Sequence, residues 1–263
     1  MSGRRYPRRR IGKLANSADG RRAAEVRVLI DAKAAGHRND TIRREMTAEV
    51  TIPISIFELS ITYDKPFLRI FGDRAQFIAN LFDSFTPWNP TVDDIEFTTV
   101  GKTSEQGVKF CLPSQGASFF FGPSSCKFRK EDARWVEADD TIRILDAGLK
   151  TLGIAFGVTF RSKVSFLSLH LQPRTVSFKD ILRPLIVTEI AKLNPAPVET
   201  LAIVSRWPGY RITIDGSAAI ANGIFLLCER HFDAGASYDD IKTKIAEDQV
   251  ELFKVLGVVE VAE

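Results

Sequence analysis

The arrangement of apolar and polar positions divides the chain into two stretches of similar plan. In the first, Phe57, Leu59, Ile61 and Tyr63 alternate with Glu58, Ser60 and Thr62, which predicts a half-buried strand over Ile54–Tyr63. The period then changes. Phe77, Leu81 and Phe85 fall at helical spacing, with Ile78 and Phe82 widening the stripe, so a helix is predicted over Asp73–Phe85, ended by Pro87 and Pro90. Ile95–Val100, Val108–Leu112 and Ala117–Phe128 read as a three-strand meander with turns at Gly101–Gly107 and Pro113–Gly116. A helix over Glu137–Thr151 closes the stretch, its apolar positions at Ile142, Leu145, Leu149 and Leu152.

The second stretch gives the same order. Leu167, Leu169 and Leu171 form one side of a strand over Val164–Leu171, and Phe166, Ser168 and His170 the other. Ser177 caps a helix predicted over Ser177–Lys192, which Pro184 kinks or shortens. Strands follow at Leu201–Ser205, Tyr210–Ile214 and Ile224–Phe232, with a Trp207-Pro208-Gly209 turn between the first two. The Ser237–Leu256 helix ends the series, with Ile241, Ile245, Leu252, Phe253 and Leu256 on its buried side.

The expected fold is therefore α+β, a tandem βαβββα duplication. Its units are residues 49–160 and 161–263, joined edge to edge in one long antiparallel sheet with helices on one face. Joining them hides two open strand edges and leaves the other sheet face free. Over Ile54–Gly257 this layout resembles the duplicated saddle of the TATA-box-binding-protein-like folds. The resemblance is one of architecture. No set of intercalating phenylalanines stands in matching places, so the DNA-kinking activity of that family is not implied.

Charge adds a third region. Met1–Ala48 holds 13 Lys and Arg against 5 Asp and Glu, a net +8, whereas the remainder holds 23 against 28, a net −5. Residues 1–48 thus form a basic arm ahead of an acidic body. Within it, Met1–Ala18 has few apolar anchors and is expected to be disordered in isolation. Asp19–Ala35 is predicted to be a short helix with Ala23, Val26, Ile30 and Ala34 on one stripe and Gly36 as its stop. Arg4, Arg5, Arg8, Arg9 and Arg10 make a compact polycation suited to phosphate contacts. Such an arm binds nucleic acid, an anionic membrane or an acidic protein surface, or serves as a solvated tail.

Candidate chemistry is sparse. The sequence contains no GxxxxGK[ST], no GxGxxG between a strand and a helix, no HExxH and no GxSxG. Cys111, Cys126 and Cys228 are odd in number, widely spaced and without a CxxC pair, which argues against a disulfide framework or zinc site and for a reducing cytoplasm. All three are read as inert thiols on apolar strands. No apolar segment follows the N-terminal arginines, so a secretory signal is not expected, and no apolar run is long enough to span a bilayer.

The weak catalytic candidates are His170, Glu229 and His231. Glu229 and His231 share one side of a strand by period two, and His170 lies on the open side of another. If those strands are neighbours, the three converge as a metal site or an acid/base pair. Alternation alone also predicts polar residues there, on a solvated sheet face. Arginines beside aromatic residues, Arg134 at Trp135, Arg206 at Trp207 and Arg211 at Tyr210, suit base stacking or plain surface cation–π contacts. The first expectation for function is a non-enzymatic binding or adaptor protein, without a cofactor, that uses a sheet face or edge and the arm to hold a protein partner. The alternatives are a nucleic-acid-binding protein and an enzyme or metal site around His170, Glu229 and His231; self-association is a further candidate contact.

Overall fold

A computed structural model describes residues 48–133, 138–185 and 202–262. The basic arm, with Arg4, Arg5, Arg8, Arg9 and Arg10 and the predicted helix at residues 19–35, lies outside the described residues, as do Arg134 and Trp135.

The strands are β1 (Ala48–Tyr63), β2 (Ile95–Thr98), β3 (Gly107–Leu112), β4 (Ala117–Phe121) and β5 (Ser125–Glu131). They continue with β6 (Phe160–Pro173), β7 (Ile203–Trp207), β8 (Tyr210–Gly216), β9 (Ile224–Asp233) and β10 (Val258–Glu260). The helices are α1 (Arg69–Gly72), α2 (Arg74–Phe85), α3 (Ala138–Lys150), α4 (Phe178–Leu182) and α5 (Tyr238–Leu256). Among the described residues no helix is long and apolar enough to cross a membrane.

All ten strands belong to one sheet, in the order β2-β3-β4-β5-β1-β6-β9-β8-β7, with β10 against β1. The two longest strands lie side by side at its centre. β1 and β6 run antiparallel from Val50 opposite Pro173 to Tyr63 opposite Phe160. Their register shifts between Thr51 and Ile54, around Pro53, which has no N–H to give to a ladder.

Three expectations are corrected. The predicted strand Ala117–Phe128 is two strands, β4 and β5. Buried positions are odd before the bend (117, 119, 121) and even after it (126, 128), a change of phase that one continuous strand does not permit. The sheet is also not wholly antiparallel, because β10 pairs in parallel with Ala48–Val50, beyond the part of β1 that β5 reaches. Of the helix expected over Ser177–Lys192, the described residues form a regular turn at Phe178–Leu182 that tightens into a 3₁₀ turn at Arg183–Leu185; residues 186–192 lie outside the described set.

The helices cover one side of the sheet. Phe57, Leu59, Ile61, Leu167, Leu169, Ile224 and Leu226 are all buried on that side. Phe77 of α2 meets Phe121 edge-on at 5.1 Å, and Phe85 lies 5.4 Å from Phe119 and 5.1 Å from Phe110. Rings at these separations pack favourably, which accounts for the many phenylalanines. α3 approaches the same rings through Gly148, which has no side chain to hold it off. α5 is fixed by a capping box at Ser237 and Asp240. It is also held by Asp248, whose carboxylate takes two hydrogen bonds from Arg230 of β9 at 2.7 and 2.5 Å. That hydrogen-bonded pairing holds the Arg230 guanidinium further above its ordinary pKa, and the same cation lies 4.3 Å over the Tyr210 ring. The ring over which an arginine stacks here is thus reached by Arg230, from across the ladder, whereas Arg211, beside Tyr210 in sequence, pairs with Glu229.

Candidate binding face

The other side of the sheet carries the alternate residues of every strand. Cross-strand neighbours place Arg129, Glu58, Phe166, Glu229 and Arg211 in one line across β5, β1, β6, β9 and β8. A half-buried phenylalanine thus stands between two glutamates, each backed by an arginine. Arg129 Nη1 donates to Glu58 at 2.7 Å and its Nε to Glu131 at 3.3 Å. Arg211 Nη1 lies 3.5 Å from Glu229, and His231 Nε2 is 3.2 Å from the other oxygen of Glu229. Hydrogen bonding to Glu58, the larger influence, raises the Arg129 pKa further. Pairs as exposed as these stabilise by about 0–1 kcal/mol each; their effect is to fix where charge sits.

Beside this line runs Ile56, Ser168, Leu227 and Thr213, and beyond it Ile54, His170, Phe225 and Asp215. The apolar members, with Phe166, form a half-buried strip along β1, β6 and β9. The face thus has an apolar centre flanked by charged pairs.

The register decides the fate of the sequence-derived site. Glu229 and His231 do meet, but the residue opposite Glu229 is Phe166, and His170 stands opposite Phe225. His170 is therefore four residues along the ladder from Glu229, about 13 Å at the usual rise. The three do not converge. Among the described residues no group of three or more His, Cys, Asp or Glu side chains is placed to hold a metal ion.

His170 has a different partner, Ser217, which the sequence pattern does not single out. Its Nδ1 lies 2.8 Å from Ser217 Oγ, and that oxygen also accepts the backbone N–H groups of Ala219 at 3.2 Å and Ile220 at 3.0 Å. With both lone pairs engaged, the hydroxyl proton goes to Nδ1 and the ring carries its own proton on Nε2. Burial lowers the His170 pKa and favours this neutral form. Among the described residues no carboxylate hydrogen-bonds the ring, so the pair lacks the third member that orients a catalytic base. Its evident work is to hold the turn that enters β9.

The cysteines divide between the faces. Cys126 and Cys228 are buried on the helix side, where burial pushes both thiols up, Cys228 to about 12. Cys111, expected to be an inert core thiol, is half-buried on β3 opposite Ser118, on the open side. Phe119 and Phe121 are core residues, while Phe120 between them is half-buried on the open side.

The chain matches no protein-family model and no curated protein sequence.

Proposed function

We infer that this chain is a non-enzymatic binding or adaptor protein whose working surface is the open sheet face. It holds a protein or peptide partner there, and the basic arm makes a second contact. In this reading the sheet arose by tandem duplication of one α+β unit. The strand order supports it: β5 flanks β1 as β9 flanks β6, and each half continues outward as a meander. The observation that carries the functional reading is the apolar strip centred on Phe166, uncovered by any described helix and bounded by the Arg129–Glu58 and Arg211–Glu229 pairs.

The test is capture of a stoichiometric partner by the wild-type chain and by a Phe166→Glu/Leu227→Glu variant whose thermal unfolding is unchanged. The partner should be retained by the first and lost by the second, whereas His231→Ala should leave capture intact. Equal capture by both chains refutes the assignment of the face. A nucleic-acid-binding reading rests on the five arginines between residues 4 and 10. It requires affinity for mixed DNA or RNA that falls steeply with salt and depends on that segment; absence of binding at low salt removes it.

A further inference from the structure

On the helix-covered side, an apolar groove of about 380 Å3 lies between β7 and β8 on one wall and the later turns of α5 on the other. Ile203, Ile212 and Ile214 face Leu252 and Val255 across it. Where β7 turns into β8, Trp207 and Tyr210 stack with ring centroids 5.6 Å apart, and the Arg230 guanidinium, 4.3 Å over the Tyr210 ring, holds that ring in place. At the roughly 30 Å3 that a water molecule takes in the liquid, the groove has room for about a dozen non-hydrogen atoms.

The polar side chains that reach this recess differ in what they have left to bind. Asp248 is satisfied, because Arg230 occupies both of its oxygens. Ser205 is not. It lines the groove from β7, is only 7% exposed, and its hydroxyl makes no hydrogen bond among the described residues. A buried hydroxyl left without a partner is costly, and this one is free both to donate and to accept. Glu251 stands on the α5 wall, exposed and without an ion pair among the described residues. No lysine, arginine or histidine lines the groove, so its unbalanced charge is that of Glu251, which repels an anion and attracts a cation. The partly exposed Trp207 ring offers the same cation a π face.

We propose that the groove is a binding site for a small apolar amine that carries a hydroxyl at its far end. The ring or alkyl body packs between the isoleucines and Leu252, the hydroxyl meets Ser205, and the ammonium lies at the mouth beside Glu251. Apolar walls with a few placed polar groups are the usual make-up of a small-molecule site. The groove is on the side of the sheet opposite the Phe166 strip, so this assignment and the function of the open face stand or fall separately.

The test is titration of the full chain with tyramine, followed by calorimetry and by the NMR signal of the Trp207 indole. Tyramine should bind at millimolar concentration or tighter. Phenethylamine, which lacks the hydroxyl, should bind about two- to tenfold more weakly, and Ser205→Ala should weaken tyramine by the same factor while leaving phenethylamine unchanged. Glu251→Gln should weaken both amines about two- to fivefold, and hydroxyphenylpropionate, with a carboxylate in place of the ammonium, should not compete. Val255→Trp, at an exposed position on the groove wall, should fill the groove and abolish binding with thermal unfolding unchanged; if that variant does not fold, Ser205→Ala with the two amines decides. Three results overturn the proposal. They are no binding of tyramine to the wild-type chain, as when residues 186–201 occupy the groove, binding that Ser205→Ala and Val255→Trp leave unchanged, and a propionate that binds as well as the amine.

Discussion

Replacing Gly148 by alanine tests how closely the helices sit on the sheet. At an exposed helix position this change stabilises by about 1 kcal/mol, because alanine restricts the unfolded chain and favours the helix. Here a Cβ would stand 2.7 Å from two ring carbons of Phe119 and 3.2 Å from Phe85. Phe119 is fully buried and cannot swing aside: Phe121 lies at 5.3 Å, Phe128 at 4.9 Å and Phe85 at 5.4 Å between ring centroids. Forcing one carbon into such a core costs about 1–3 kcal/mol. The expected net result is destabilisation by about 1 kcal/mol, opposite in sign to the exposed case. Phe119→Leu removes the obstructing edge, so in that background Gly148→Ala should be neutral or stabilising, with a coupling of about 1–3 kcal/mol between the sites. Urea unfolding of the four proteins, read from midpoints at constant slope, measures this directly. Stabilisation by Gly148→Ala in the wild-type background, or an equal effect in both, would show that α3 does not rest on Phe119.

Two further predictions concern buried charge. Lys163 is buried on the helix side, with the Ala236 carbonyl at 2.5 Å and the Tyr238 ring at 4.9 Å as its partners, and burial lowers its pKa. The unfolded chain therefore binds more protons than the folded one between the lowered value and the ordinary lysine value of about 10.4, so this group's contribution to stability rises with pH across that window. Lys163→Met should be as stable as the wild type or more so at pH 7, with an advantage that shrinks by pH 10. Urea curves at both pH values check this, and an advantage that grows with pH contradicts it. Asp248→Ala should cost about 2–3 kcal/mol, somewhat below the range for a fully buried pair because Arg230 keeps contact with solvent. Arg230→Leu/Asp248→Leu should cost less than Asp248→Ala alone, since no unpaired charge is left behind. The opposite ranking in thermal unfolding would show that the cost of Asp248→Ala does not come from the charge it leaves unpaired.

What the sequence made legible is what depends on period alone. The alternation from Phe57 to Tyr63 and from Leu167 to Leu171, and the stripe of Phe77, Leu81 and Phe85, are each fixed by burial of one side, and all reappear as read. The bend between β4 and β5 was also written there, as Gly122-Pro123 and the phase change that follows. It was obscured because Phe119, Phe120 and Phe121 look apolar on both sides. Contacts that depend on register were not legible. Glu229 faces Phe166 rather than His170 because of how β6 and β9 align over their whole length, which no local pattern encodes. Ser217 is found only through the turn that folds it back onto His170, and β10 is too short to be told from a frayed helix end without β1 beside it.

The sharpest measurement on the division of this sheet into a covered and an open side is thiol labelling of the native protein. Cys111 should react with a small alkylating reagent while Cys126 and Cys228 react only on unfolding, and a partner bound to the open face should slow Cys111 alone. Labelling of Cys126 or Cys228 at the rate of Cys111, or a Cys111 inert until the protein unfolds, would contradict the account.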